Sequence, residues 1–170
     1  MSNYRRVRLK RGCYFFTVVT AARRPILTDN ISILRNAFAH VRSRHKFTID
    51  AVVVLPDHIH CIWTLPDGDD DFSTRWRLIK STFSRYMTVI PDEGKRRGER
   101  DIWQRRFWEH LIRDDEDFQR HVDYIHYNPV KHGYVECVAD WPYSSFRRFV
   151  RQGVYGEDWG SPVDGDMDCE

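Results

Sequence analysis

The stretch Pro56-Asp57-His58-Ile59-His60-Cys61-Ile62-Trp63 sets two imidazoles two residues apart. If residues 58–65 form a strand, His58 and His60 leave the same face and Ile59 points away. Two imidazoles on one side of a strand make half of a metal site, because histidine is the commonest metal ligand and further ligands can arrive from another element. The pair also fits a structural role, with one ring bonded to a buried partner and the other packed on the sheet. A second reactive group lies at 114–128 (DDEDFQRHVDYIHYN). At about 100° per residue, Phe118, Val122 and Ile125 form an apolar stripe, Tyr124 lies at its border with His121 and Asn128, and Tyr127 points away. Only Tyr124 is then both near the sheet and partly free. Packed against the histidine strand, this helix brings a phenol and a carboxamide oxygen to the imidazoles, giving a His, His, Asn cation site beside a nucleophile. The border tyrosine of an ordinary amphipathic helix is the alternative. Pro129 disfavours helical geometry at Asn128 and loosens its expected alignment with Tyr124.

The elements that must position these groups follow from periodicity. Residues 14–20 (YFFTVVT) are aromatic and β-branched and read as a first buried strand. Asp29 can cap a helix whose Ile31, Leu34, Phe38 and Val41 share a face. Residues 47–55 (FTIDAVVVL) read as a second strand, joined through Pro56-Asp57 to the histidine strand as a hairpin. After the acidic loop 67–71, Phe72, Trp76, Ile79, Phe83 and Tyr86 repeat every three or four positions, with Arg75, Arg77, Lys80 and Arg85 on the other faces. Residues 91–99 read as a charged loop, and 101–113 mix Trp and Arg ahead of a fourth strand. The order strand, helix, strand, strand, helix, strand is the split βαβ or ferredoxin-like pattern. The expected fold is therefore α+β: an antiparallel sheet with helices on one face and the tyrosine-bearing helix packed near the His-x-His strand.

Composition bounds the reading. A chain of 170 residues, 41% hydrophobic, suits one domain, expected over 1–156 with an acidic tail at 157–170. Six of the 25 acidic side chains and none of the 27 Lys and Arg fall in that tail, leaving the body at +8. Arg5, Arg6 and Arg8, Arg105 and Arg106, and other basic clusters make the body a candidate polyanion binder. Arginine beside aromatics at 102–108 suits phosphate clamping and base stacking. An acidic tail on a basic body can compete for the same surface. No run of 18 apolar residues and no secretory cleavage pattern occurs, and Cys13, Cys61, Cys137 and Cys169 lack paired spacing. The expectation is a soluble, cytoplasmic protein with reduced thiols and no membrane partner.

Several blocks together resemble a known family. His58-Ile59-His60 is similar to the HUH motif, and Tyr124 with Asn128-Pro129-Val130-Lys131-His132-Gly133 resembles the single-tyrosine transposases of insertion-sequence type. The blocks at 53–76, 102–133 and 140–146, with Tyr4-Arg5-Arg6, are most similar to the REP-associated tyrosine transposases. The resemblance implies that His58, His60 and Asn128 bind Mg²⁺ or Mn²⁺ and that the ion polarises a scissile phosphate. It implies that Tyr124 attacks single-stranded DNA to give a 5′-phosphotyrosine link and a free 3′-hydroxyl, which can rejoin strands in reverse. A tyrosine hydroxyl is protonated at neutral pH, so it needs help from the ion or a base, for which His121 is a candidate. The implied substrates are repetitive extragenic palindrome (REP) hairpins. Arg5, Arg6, Arg8, Arg105 and Arg106 are the implied DNA contacts, and the implied state is a monomer.

Two other classes stay open on sequence. A noncatalytic single-strand-binding module would use aromatics and Arg for affinity and the histidines as structure, so its binding would need neither metal nor Tyr124. A hydrolytic metallonuclease would activate water and leave no covalent intermediate.

Overall fold

The computed structural model describes residues 12–87 and 102–162. Arg5, Arg6 and Arg8, the loop at 91–99 and the acidic tail beyond 162 lie outside the described residues. Strand β1 spans Cys13–Val19, helix α1 Ile31–Arg44, β2 Thr48–Val54, β3 His58–Thr64, α2 Phe72–Met87 and β4 Trp108–Leu111. Helices α3 (Asp115–Lys131) and α4 (Phe146–Arg151) follow. The four strands form one sheet in the order β2-β3-β1-β4, each neighbour antiparallel. This is the expected ferredoxin-like arrangement.

Alternation along the strands divides the core between the two faces of the sheet. Tyr14, Phe16 and Val18 of β1 and Ile59, Cys61 and Trp63 of β3 face α1 and α2, where they pack with Leu34, Val41, Trp76 and Phe83. Trp63 stacks on Trp76 with ring centroids 4.3 Å apart. The alternate residues Phe15, Ala51, Val53 and Ile62 face Val122 and Ile125 of α3 and Phe149 of α4. The helix carrying Tyr124 thus covers the sheet face opposite α1 and α2. Past α4, Tyr155 meets Trp159 with tilted rings 4.4 Å apart and donates a hydrogen bond to Asp123, while Trp159 meets Tyr127 on the outer side of α3.

Three local expectations change. The residue before α1 is Asn30, with Asp29 one position earlier. Arg75 does not decorate an outer face: it is 3% exposed, and its guanidinium binds the Asp69 carboxylate and the Lys46 carbonyl. A buried guanidinium is tolerated when its donors meet a carboxylate and carbonyls, and a loop residue supplies the counter-charge. Finally, α3 runs unbroken through Asn128 and Pro129 to Lys131. The helix closes with amides of His132, Gly133 and Tyr134 bonded to carbonyls of Asn128, Val130 and Pro129, and Gly133 takes the positive φ (71°) that this ending favours.

Candidate active site

The turn before β3 is held by Thr20, the residue after β1. The Thr20 amide and hydroxyl both donate to the Asp57 carbonyl, at 2.9 and 3.0 Å, and the Leu55 amide closes the turn on the His58 carbonyl at 2.8 Å. His58 and His60 leave β3 on the α3 side, each 4% exposed, with ring centroids 4.8 Å apart. Each ring has one nitrogen engaged. His58 Nδ1 lies 2.6 Å from Asp57 Oδ1, and His60 Nδ1 lies 2.8 Å from Thr17 Oγ1. Burial opposes ionisation of Asp57, but the hydrogen bonds from His58 and Arg23 outweigh it and hold the carboxyl below its ordinary value. Burial, then the charges of His58, His132 and Lys131, push His60 down to about 3, so its ring is neutral at physiological pH. With both Nδ1 atoms engaged, the Nε2 atoms are the ring positions left for a cation.

Helix α3 crosses above them. Its start is fixed by Asp114, whose carboxylate accepts from the Asp117 amide at 2.7 Å. Tyr124 is 39% exposed, its ring 5.2 Å from His60 and 6.0 Å from Phe15. Two turns later, the His132 ring lies 5.3 Å from His58. Asn128 falls on the helix line between these two contacts and is fully buried. Its amide group reaches the Tyr124 carbonyl at 3.5 Å, while its Oδ1 accepts no hydrogen bond among the described residues. A buried carbonyl oxygen left in that state costs about 1–3 kcal/mol, so the position calls for a donor or a cation. Lys131 places its ammonium 5.1 Å from the centre of the Tyr124 ring.

His58, His60 and Tyr124 are therefore brought together, with Asn128 one turn beyond Tyr124 on the same line of α3. His121 lies one turn before Tyr124, but its Nδ1 is committed to Asp117, 2.8 Å from the carbonyl and 3.2 Å from the carboxylate. His110, Asp117 and His121 form the one group of three His, Cys, Asp or Glu side chains close enough to hold an ion among the described residues, within 4.8 Å of one another. Asp117 there is already paired with Arg113 at 3.3 Å and Arg120 at 3.6 Å, so an added cation would meet two guanidiniums. Arg105 and Arg106 are exposed ahead of β4. Arg105 lines a groove against Trp76, Arg77 and Lys80 of α2, on the other side of the sheet from Tyr124.

Sequence reasoning missed Thr17, Asp57, Lys131 and His132. Lys131 and His132 follow Tyr124 by seven and eight residues, a helical spacing that was there to be used. Thr17 could not be found that way, because only the pairing of β1 with β3 sets it opposite His60.

The family described as "Transposase IS200 like" matches residues 9–128 of the chain. A REP-associated tyrosine transposase of Escherichia coli K12 is 51% identical over 164 residues, covering 96% of this chain and 93% of that protein. A Haemophilus influenzae Rd protein assigned to the same group is 50% identical over 169 residues, covering 96% of each chain. The solved structure of a REP-associated tyrosine transposase bound to a REP hairpin superposes with a TM-score of 0.84 at 46% identity, covering 100% of this chain and 99% of that one. On these matches, and on the fold they share, the chain belongs to the IS200-like transposases and within them to the REP-associated tyrosine transposases.

Proposed function

We propose that this enzyme cleaves and rejoins single-stranded DNA beside REP-type hairpins, with Tyr124 as nucleophile and His58, His60 and Asn128 as ligands of Mg²⁺ or Mn²⁺. The observation that carries the reading is the buried Oδ1 of Asn128, without a hydrogen-bond partner among the described residues, on the helix line between the residues that touch His60 and His58. The donor set fits a divalent ion: two imidazoles with their Nδ1 atoms engaged, plus one carboxamide oxygen. Such an ion, when bound, would supply Lewis-acid polarisation of the scissile phosphate.

The chain's own residues supply the rest. The Tyr124 oxygen forms the new bond to phosphorus as the bond to the 3′-oxygen breaks, and the phenol's proton ends on the departing 3′-hydroxyl. Lys131, beside the ring, favours the developing phenolate. The product is a 5′-phosphotyrosine that the 3′-hydroxyl can attack in reverse, so the phosphodiester energy is conserved. His121, one turn before Tyr124 on the same helix edge, is the helper base for the phenol's proton. Arg5, Arg6, Arg8, Arg105 and Arg106 add backbone contacts to the DNA, with Arg105 acting from the α2 side. The working state is a monomer, as the family resemblance implies. The free thiols of Cys13, Cys61 and Cys137 support a reducing cytoplasm. The catalytic domain is residues 1–156, with 157–170 as an acidic appendage.

The test is incubation with Mn²⁺ or Mg²⁺ and an end-labelled hairpin oligonucleotide from the source genome's own repeats. An SDS-stable adduct mapping to Tyr124, absent with chelator and in Tyr124→Phe while DNA binding persists, is the expected result. Cleavage without an adduct would instead make the protein a hydrolytic nuclease. Metal-independent binding with no cleavage would make it a binding module.

A further inference from the structure

Beyond His60 the sheet carries an aromatic cavity that borders the proposed nucleophile and extends away from the metal site. Strand register aligns His60, Thr17 and Trp108 in one row across β3, β1 and β4, and Ile62, Phe15 and His110 in the next. Trp108 therefore stands on the same face as His60, two strands away, on the order of 10 Å across the ladder. Its neighbour Glu109 points to the opposite face and is buried, yet Trp108 is 50% exposed. Together with Phe15, Thr17, Arg120, His121 and Tyr124 it lines an open cavity of about 420 Å³.

The walls of this cavity are rings held in fixed orientations. Phe15 meets Trp108 edge-on at 5.7 Å. Trp108 lies parallel to His110 at 5.9 Å, and His110 lies parallel to His121 at 4.7 Å. His110 and His121 are both tied to the buried Asp117, so this stack is braced from below. Besides the Thr17 and Tyr124 hydroxyls, the lining includes Arg120, an exposed side chain whose guanidinium pairs with Glu116 at 2.8 Å and Asp117 at 3.6 Å, and His121, whose Nδ1 is already taken. A half-exposed indole, aromatic walls, one cation and the nucleophile's own ring suit a planar aromatic ligand attached to an anion. That is the chemistry of a nucleotide, which stacks through a π-face that every base possesses.

We propose that this cavity seats an unpaired base of the single strand, the one next to the phosphate attacked by Tyr124, with Trp108 as its stacking platform and Arg120 on the adjoining phosphate. The assignment rests on the strand-cleavage reading above and adds a base-binding subsite to it. Each base stacked on an aromatic side chain contributes about tenfold to a hundredfold in affinity. A base trapped there would also hold its neighbouring phosphate in line with the phenol.

The test uses the full chain carrying Trp108→Ala or Trp108→Phe, and hairpin oligonucleotides with a single abasic site walked through the unpaired flank. In wild type, one abasic position next to the cleaved bond should raise the DNA concentration for half-maximal adduct by about tenfold to a hundredfold. Trp108→Ala should cause the same loss on intact DNA and add nothing at that position, and Trp108→Phe should restore most of it. Thermal melting of each variant, and its shift with Mn²⁺, should match wild type, since the indole is half in solvent. Equal DNA dependence for Trp108→Ala and wild type would overturn the assignment, as would losses that add at every abasic position. The same comparison made by binding alone in the Tyr124→Phe background reads the subsite separately. If wild type forms no adduct but Trp108 still governs affinity at one base, the cleavage reading fails and the base site stands.

Discussion

An imidazole whose one nitrogen is held by a neighbour offers the other in a fixed direction, and both histidines of this site are held in that way. Asp57 does this for His58, its own chain neighbour, and Thr17 does it for His60 from across the sheet. Replacing Thr17 by Val keeps the shape and removes the hydroxyl, so the His60 ring loses its tether. Outer contacts of this kind are worth about 10- to 100-fold in metal affinity. Thr17→Val should therefore weaken Mn²⁺ binding by about that factor in a calorimetric titration while the apo protein melts nearly as before. An unchanged affinity would mean that packing against Phe15, 5.6 Å away, is enough to orient the ring. At this scale the alternating His58 and His60 and the helical placement of Tyr124 and Asn128 were legible, because each needs only the period of its own element. Thr17 and Trp108 were not legible as partners of the site, since both depend on register between strands distant in sequence.

At the scale of the element, α3 is an arm that must deliver Tyr124 and Asn128 to the histidines, and its N-terminal turn is anchored to β4 through Asp117. That carboxylate is 1% exposed and lies 2.8 Å from His110 Nε2 and 3.0 Å from the Arg113 amide. Burial opposes its ionisation, but the hydrogen bonds from His110 and Arg113 outweigh burial and hold it well below the usual carboxylate range. A carboxyl depressed in the folded state contributes stability that is fully present above its unfolded value of about 4 and is lost as pH falls toward the native one. Asp117→Asn should thus lower the melting temperature at pH 7 and flatten the acid limb below about pH 4. A wild-type-like acid limb in the variant would place the acid sensitivity elsewhere. The Asp114 cap adds a smaller part: Asp114→Ala should cost about 1 kcal/mol in denaturant unfolding. The helix was legible from its acidic first turn and apolar stripe. Its passage through Pro129 was not, because only tertiary packing and the Gly133 ending make up for the bond a proline cannot give. Arg75 was misread for a related reason, since periodicity does not show that Asp69 folds back to meet it.

At the scale of the molecule, the sheet separates two tasks. The face against α1 and α2 holds the larger apolar cluster, with Trp63, Trp76, Phe16 and Phe72 fully buried, and touches none of the groups near the phenol. The other face packs Val122 and Ile125 directly beneath Tyr124 and Asn128. Trp76→Ala should remove about 3–5 kcal/mol, a large part of the 5–15 kcal/mol typical of a domain, and lower the melting temperature by roughly 10 °C or more. Well below that temperature, its rate of adduct formation should stay near wild type. Val122→Ala removes two methyl groups and about 2 kcal/mol, with a correspondingly smaller fall in melting temperature. It loosens the packing that sets the height of α3 over the histidines, and misplacement by an ångström can cost a hundredfold in rate. The variant with the smaller loss of stability should therefore show the larger loss of adduct formation, measured as single-turnover rates at a temperature where both are folded. Rates that instead followed melting temperature would mean that the site answers to overall stability, and that the second face does no separate positioning.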